Sequence, residues 1–274
     1  MPMLATGAHD VVAYDECGSG PVVVLLHGSP GTSKAWSRVA ERLASDFRVI
    51  APNLPGYGDT TAAPAGAPPD NAYAVRVVEA LLAEVGPPRV LAGHSYGGVI
   101  ALRVALAGVV APAALALFEP VAVPVLEAVG EAEAFAASKA VFDGYIAAFE
   151  GGAGEAVGTM VDYWFGAGTF ERMPPPMKEY LIAHTAHNVR DVRATFRERY
   201  SMDALRRLAM PVQVVCGTRG PEAMTRICRG IATHAPLGSL VTLERASHAL
   251  TATHVDAVAD LIASLAARHG DVGP

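Results

Sequence analysis

The hydrophobic pattern of this chain alternates between short apolar runs and longer amphipathic stretches. Several of the short runs are apolar on successive residues and rich in valine, which is typical of strands that are covered on both faces of a sheet. These runs predict six strands, at Val22–Leu26, Arg48–Ala51, Val90–Ala92, Ala114–Phe118, Val212–Cys216 and Leu240–Leu243.

Helical periodicity fills most of the intervals between these runs. It predicts helices at Ser33–Ala44, Ala72–Val85, Tyr96–Ala107, Glu222–Ala232 and Val255–Ala267. A strand that alternates with a helix predicts an α/β fold with a mainly parallel central sheet and helices on its faces. At the start of the chain, Val11–Tyr14 and Val22–Leu26 predict an antiparallel hairpin whose turn is Gly18–Pro21.

The interval 120–207 breaks this alternation. It contains alanine-rich helical stretches, Gly151-Gly152 and Pro174-Pro175-Pro176, but no convincing strand. We interpret it as a helical cap that is inserted late in the sheet. The predicted organisation is therefore a core of residues 1–119 and 208–274 with a cap of residues 120–207.

Composition and charge narrow the function. Of the 274 residues, 51% are hydrophobic and 18% charged, which favours a large buried core. The net charge of −6 disfavours nucleic acid as a partner. The apolar runs are too interrupted for a membrane span, and residues 1–10 lack the features of a signal peptide. Three cysteines fit neither a disulfide framework nor a zinc site. The expectation is a cytoplasmic protein with a small-molecule substrate, possible self-association, and no membrane or metal.

The strongest chemical signal is Gly93-His94-Ser95-Tyr96-Gly97, a G-x-S-x-G motif between a predicted strand and a predicted helix. In that context the serine lies on a tight turn at the N-terminus of the helix, where backbone N–H groups are free. Ser95 is therefore the candidate nucleophile. An oxyanion hole needs two N–H donors, and one of them usually belongs to the residue after the nucleophile, here Tyr96. We expect the second in the loop His27–Gly31 that follows the strand Val22–Leu26, at Ser29, because Pro30 has no N–H.

A serine nucleophile needs a base, and His248 is the best candidate. It follows the last predicted strand and precedes the last helix. The other histidines considered fall inside glycine motifs, in the cap or at a helix start, at His27, His94, His184, His187 and His254. His184 and His187 are three residues apart, but no carboxylate completes a zinc motif there.

Four segments together resemble the α/β-hydrolase superfamily: H-G-S-P-G (27–31), N-L-P-G-Y-G (53–58), G-H-S-Y-G-G (93–98) and S-H-A-L (247–250). The resemblance covers nearly the whole chain except the cap. It implies a triad of Ser95, an acid and His248, in that order, with no cofactor. It also implies ester-type chemistry, because epoxide hydrolases and dehalogenases of this fold carry a carboxylate at the position of Ser95.

The acid departs from the family's usual pattern. Most members carry an aspartate after the strand that here is Val212–Cys216, and this chain has Gly220 there. Some relatives carry the acid one strand earlier, where Glu119 ends the strand before the cap. The segments F-E-P-V (118–121) and D-Y-W-F-G-A-G (162–168) are similar to a bacterial subgroup of the superfamily. Glu119 is the preferred acid and Glu222 the alternative.

The predicted function is a serine hydrolase that cleaves a carboxylic ester, thioester or lactone through an acyl-enzyme on Ser95. The candidate residues of the substrate pocket are His27, Tyr163 and Trp164. The aromatic and apolar residues of the cap predict that this pocket takes a substrate with an apolar acyl group. Two alternatives stay open. One is a non-hydrolytic enzyme of the same fold, such as a lyase, an acyltransferase or a C–C cleaving enzyme. The other is a catalytically weak ligand-binding homologue, which the missing aspartate at Gly220 would favour.

Overall fold

The strands form one sheet. A computed structural model of the protein describes residues 2–5 and 10–268. Residues 1, 6–9 and 269–274 of the predicted core lie outside the described residues, and they include part of the segment 1–10 that lacks the features of a signal peptide. The described residues form eight strands, β1 Met3–Ala5, β2 Val11–Cys17, β3 Val22–Leu26, β4 Arg48–Pro52, β5 Val90–His94, β6 Leu115–Phe118, β7 Val212–Gly217 and β8 Gly238–Leu243. Their order in the sheet is β1-β2-β4-β3-β5-β6-β7-β8.

The sheet is parallel from β4 to β8, and only β1 and β2 run antiparallel to their neighbours. Strands β3 to β7 are buried along almost their whole length, as expected for strands covered on both faces. The predicted α/β fold is therefore confirmed. The predicted hairpin is wrong, because β2 pairs with β4 and not with β3.

The connection between β2 and β3 explains this difference. Gly18 has a φ of 73°, and a Cβ there would lie 2.2 Å from the carbonyl oxygen of Phe47 and 2.5 Å from that of Ala44. The segment 18–21 is thus pressed against the chain that leads into β4. Strand β4 consequently fits between β2 and β3. The glycines allow a close crossing of two segments and do not form a tight hairpin turn.

Helices cover both faces of the sheet. They are α1 Ser37–Leu43, α2 Ala72–Val85, α3 Tyr96–Ala107, α4 Pro124–Ala128, α5 Ala132–Glu150, α6 Val157–Phe165, α7 Pro175–Ala183, α8 Thr185–Phe196, α9 Met202–Arg206, α10 Glu222–His234, α11 Leu250–Thr253 and α12 Val255–Arg268. Alternate residues of β3 point into two separate cores: Val24 and Leu26 belong to the core that includes residues of α2, α3 and α10, whereas Val23 and Leu25 belong to the one that includes residues of α1 and α12.

Helices α4 to α9 all lie between β6 and β7, within the interval that the sequence predicts as a cap. Among its described residues this interval contains no strand. Its buried side chains join the core on the α2–α3 face of the sheet, as Tyr145, Trp164 and Val189 do. We call residues 120–207 the helical insert. None of the helices in the described ranges is long and apolar enough to cross a membrane.

Candidate active site

Ser95 lies at the carboxyl end of β5, in the centre of the sheet. Its φ of 55° and ψ of −121° are strained for a residue with a side chain. Its amide donates to the carbonyl oxygen of Phe118 on β6, at 3.0 Å, and α3 begins at the next residue, Tyr96. The predicted turn from strand to helix is therefore present, and Ser95 is held at its tip.

Glycines make this turn possible. A Cβ on Gly93 would lie 2.3 Å from the carbonyl oxygen of Gly97. A Cβ on Gly97 would lie 2.3 Å from the carbonyl oxygen of Leu26 and 2.5 Å from that of His27. Both obstructions are backbone atoms, which cannot move aside as a flexible side chain can. The N-terminus of α3 thus packs directly on the end of β3.

We expect Gly97→Ala to destabilise the protein, because its methyl group would push α3 away from β3. Overpacking of this kind costs about 1–3 kcal/mol or more. The measurement is the free energy of unfolding in urea. Gly144→Ala is the control: Gly144 lies inside α5 with no atom within 4 Å of an added Cβ, so this change should stabilise by about 0.5–1 kcal/mol. Equal stability of the two variants would contradict the expectation.

Ser95, His248 and Glu119 form one hydrogen-bonded row. The Ser95 hydroxyl lies 3.0 Å from Nε2 of His248. Nδ1 of His248 donates to Oε2 of Glu119 at 2.7 Å. With its proton on Nδ1, the ring can accept the serine proton at Nε2, which is the arrangement of a nucleophile, a base and an orienting acid.

The Glu119 carboxylate occupies the region where Gly220 leaves room. Glu119 is fully buried and has a φ of 43°. Its second oxygen, Oε1, accepts the N–H of Gly217 at 2.8 Å. A Cβ on Gly220 would lie 3.5 Å from that same oxygen. The glutamate from β6 therefore reaches the position to which an aspartate at residue 220 would point. The alternative acid, Glu222, is 78% exposed and pairs with Arg226.

Aromatic rings surround the His248 side chain, which is 2% exposed. Trp164 of α6 stacks on the imidazole with ring centroids 5.3 Å apart, and Phe165 meets it edge-on at 5.2 Å. From the core, the His94 ring lies 4.8 Å away and its Nε2 donates to the carbonyl oxygen of His248. The helical insert thus contributes one wall around the base.

His27 differs from the expectation that it lines the pocket. Its ring is buried beneath the loop that follows β3, with Nδ1 donating to the Gly28 carbonyl at 2.8 Å and Nε2 accepting from the Leu54 amide at 2.9 Å. Burial lowers the pKa of His27 to about 4. Burial, together with the neighbouring His248, lowers the pKa of His94 to about 3.

These two histidines predict a loss of stability in acid. The unfolded chain binds their protons near pH 6.5 and the folded chain does not. Their contribution is therefore complete above pH 6.5 and falls as the pH decreases towards 4. When the pH is lowered from 7.5 to 5, we expect each of the two histidines to reduce the free energy of unfolding by about 2 kcal/mol. Urea unfolding at both values measures this, and the His27→Gln variant should lose about 2 kcal/mol less than the wild type over the same interval. An unchanged pH dependence in that variant would contradict this assignment.

The loop from His27 to Gly31 packs against Ser95. A Cβ on Gly28 would lie 3.0 Å from Cβ and 3.4 Å from Oγ of Ser95. Ser29 therefore follows immediately after the residue in contact with the candidate nucleophile, and Tyr96 follows the nucleophile itself. These are the two residues whose N–H groups the sequence predicts as oxyanion donors.

A cavity of about 510 Å³ opens on Ser95 and His248. Its wall is mainly apolar and comes largely from the helical insert, with Trp164 of α6 and Val192 of α8 among the lining residues. Tyr163 is not among them. Its hydroxyl instead contacts Ser138 at 2.9 Å, and its ring packs on Phe142 and Trp164. The next residue, Phe165, lines the cavity together with Trp164, so of the two predicted aromatic residues Trp164 faces the cavity and Tyr163 packs inside the insert.

Sequence reasoning missed a polar group on one side of this cavity. Ser29, Asn188 and Asp191 line it, and Tyr57 connects Ser29 to Asp191. Burial raises the pKa of the Asp191 carboxyl to about 6, and hydroxyl groups around it act in the opposite direction. The one signal in the sequence that could have pointed to this polar group is the N-L-P-G-Y-G motif, because it contains Tyr57. Within the described ranges, no three His, Cys, Asp or Glu side chains cluster as metal ligands.

Comparisons with known proteins agree with this architecture. Fluoroacetate dehalogenase from a Burkholderia species is 39% identical over 94 residues, which cover 32% of this chain and 31% of that protein. Pimeloyl-[acyl-carrier protein] methyl ester esterase from Vibrio atlanticus is 32% identical over 97 residues, which cover 35% of each chain. The match thus spans about a third of the length of these curated relatives.

A solved structure extends the similarity over the whole fold. The enol-lactonase from Burkholderia xenovorans superposes with a TM-score of 0.73 at 18% identity, and the alignment covers 96% of this chain and 99% of that one. At this identity the similarity shows the fold alone. The model of the alpha/beta hydrolase family, however, matches residues 23–261. Because that match includes the sheet from β3 to β8, the serine turn and His248, the chain belongs to the alpha/beta hydrolase family.

Proposed function

We propose that this protein is a serine hydrolase that cleaves a carboxylic ester through an acyl-enzyme on Ser95. The observation that carries the proposal is the hydrogen-bonded row of Ser95, His248 and Glu119, of which Ser95 and His248 line a largely apolar cavity. Thioesters and lactones react by the same acyl transfer and belong to the same proposal.

In the proposed reaction, His248 takes the Ser95 proton at Nε2 while Oγ attacks the acyl carbonyl. Glu119 holds the imidazole in the tautomer that accepts at Nε2 and stabilises the imidazolium that forms. The N–H groups of Ser29 and Tyr96 stabilise the oxyanion. The imidazolium then protonates the leaving alcohol. Water, deprotonated by His248, attacks the acyl-enzyme and releases the acid.

The nucleophile separates this proposal from the chemistry of one of the relatives. Dehalogenases of this fold use a carboxylate at the turn where this chain has Ser95, and a serine alkoxide favours attack on an acyl carbon. The methyl ester esterase and the enol-lactonase among the relatives carry names that describe acyl transfer to water. These names support, for this chain, an ester-type bond over a carbon–halogen bond.

The cavity supports a substrate with an apolar part of medium size. Its volume of about 510 Å³ lies within the range of ordinary small-molecule sites. Val121, Val123, Met160 and Leu181 line it beside Trp164. We propose that the helical insert is a cap that forms this acyl pocket. A charged acyl group would lose its hydration there without a compensating partner on the apolar wall.

Hydrolysis of a series of p-nitrophenyl esters, from acetate to dodecanoate, tests the proposal. We expect kcat/KM to peak at a medium chain length. In Val192→Phe, whose larger ring would fill part of the cavity, the peak should move to shorter esters. Val109→Phe is the matched control, since Val109 is 70% exposed and is not among the residues that line the cavity. No hydrolysis of any ester, together with no labelling of Ser95 by a fluorophosphonate, would contradict the proposal.

A further inference from the structure

The polar side of the catalytic cavity is a continuous chain of side-chain hydrogen bonds. The Tyr145 hydroxyl donates to Oδ1 of Asn188 at 2.8 Å. Nδ2 of Asn188 donates to Oγ of Ser29 at 2.9 Å. Ser29 Oγ lies 2.7 Å from the Tyr57 hydroxyl, which donates to Oδ2 of Asp191 at 2.7 Å. We call these five residues the polar chain.

The direction of every bond in the polar chain follows from proton counting. A hydroxyl has one proton, and Tyr57 gives its proton to the Asp191 carboxylate, which can only accept. Ser29 must therefore donate to Tyr57, and its lone pair receives the Asn188 N–H. Tyr145 fixes the orientation of the Asn188 amide. All donors point towards Asp191, and both hydrogen-bonding functions of the Ser29 side chain are used.

The polar chain connects the helical insert to the loop beside Ser95. Asn188 and Asp191 lie three residues apart on α8 and so share a face of that helix. Ser29 lies in the loop after β3, next to the glycine that contacts Ser95. Asn188, Asp191 and Tyr57 are each at most 8% exposed, so water does not compete well for these bonds.

We propose that Asn188 and Asp191 are positioning residues that hold the backbone N–H of Ser29 in place as an oxyanion donor. The inference rests on the proposed function. Both residues act on the Ser29 side chain through hydrogen bonds: Asn188 donates to it directly, and Asp191 is connected to it through the Tyr57 hydroxyl. Preorganisation of this kind matters most when charge develops on the substrate oxygen, and little when the neutral ester binds.

The burial of Asp191 explains why a carboxylate suits this role. A buried carboxylate needs donors, and it draws the protons of Tyr57 and, through it, of Ser29 in one direction. An asparagine side chain at residue 191 can still accept from Tyr57, whereas alanine cannot. We therefore expect Asp191→Asn to keep much of the activity that Asp191→Ala loses.

The main test uses Asn188→Leu, which keeps the approximate size of the side chain but can neither donate to Ser29 nor accept from it, and Ser29→Ala, which keeps the backbone N–H. Each should lower kcat by about tenfold to a hundredfold, less than the roughly 10²–10³-fold loss of a deleted oxyanion donor. KM should stay within a few fold. A trifluoromethyl ketone, which forms a tetrahedral oxyanion on Ser95, should bind more weakly by the same factor as kcat falls.

Two controls separate positioning from general damage. The first control is Arg193→Gln. Arg193 lies on α8, as Asn188 and Asp191 do, but pairs with Glu150 at the surface, so this variant should keep wild-type kinetics. The double variant of Ser29→Ala and Asn188→Leu should be no slower than the slower single variant, because both changes remove the same bond. Wild-type kcat in the single variants, losses in KM alone, or losses that only follow the melting temperature would overturn the inference.

Labelling of Ser95 by a fluorophosphonate keeps this test separate from the choice of substrate. If the wild type hydrolyses no ester but is labelled, the proposed ester substrate fails, and slower labelling of Asn188→Leu still supports the inference. Equal labelling rates of wild type and variant would overturn it. A wild type that is not labelled would overturn both proposals.

Discussion

Replacing Ser95 with alanine is expected to abolish ester hydrolysis, with kcat falling by about 10⁶-fold. The substitution removes the only hydroxyl within hydrogen-bond distance of Nε2 of His248 among the described residues. The oxyanion donors and the cavity would remain, so ester binding should change little. Initial rates on the preferred p-nitrophenyl ester measure the loss. Intact-protein mass spectrometry after fluorophosphonate treatment shows whether the label is lost as well.

The control for this experiment is Ser45→Ala. Ser45 is exposed, and its hydroxyl donates to the neighbouring Asp46 at 2.7 Å. This variant should retain wild-type rates and labelling. If Ser95→Ala kept the wild-type rate, Ser95 could not be the nucleophile, and the acyl-enzyme mechanism would have to be abandoned.

The second large effect is expected at Glu119. Glu119→Gln keeps the size of the side chain but replaces its charge with an amide, which can donate to Nδ1 of His248. That favours the tautomer with a proton on Nε2, where the serine proton must go. The comparable change in a known triad lowers kcat by about 10⁴-fold. Glu222→Gln is the matched control and should have no effect, because Glu222 lies at the surface with Arg226.

Gly220 allows a stricter test of the same site. Glu119→Gly should be as inactive as Glu119→Gln, and glycine accepts the φ of 43° at this position without strain. Adding Gly220→Asp would place a carboxylate in the space that Glu119 leaves, because the new Cβ would start 3.5 Å from the original oxygen. The double variant should therefore regain a measurable part of kcat. Full activity of Glu119→Gly by itself would contradict the role of this carboxylate.

The central elements of the fold followed from local patterns. Each of β3 to β7 is a run of buried residues, and α2 and α3 have the bounds that the sequence predicts. Ser95 and His248 could be selected for the same reason. A glycine-flanked turn between strand and helix, and a histidine after the last strand, are properties of short segments that need no knowledge of distant residues.

Contacts between distant segments were decided by the tertiary structure. The exchange of partners that places β4 beside β2 depends on how two loops cross. Asn188 reaches Ser29 over 159 residues of chain, and no local pattern marks that bond. The same holds for the choice of cavity-lining residues, because helix packing decides which side of the insert faces Ser95.

Glu119 shows where the division lies. The sequence by itself determined that a carboxylate stands at the end of the strand before the cap, directly after Phe118, and that Gly220 replaces the usual aspartate. Only the tertiary structure decided that the Glu119 side chain lies 2.7 Å from His248, which is 129 residues away in the chain. The physical reason is that the carboxyl ends of adjacent parallel strands meet at one edge of a sheet, so β6 can supply from its own end what β7 lacks.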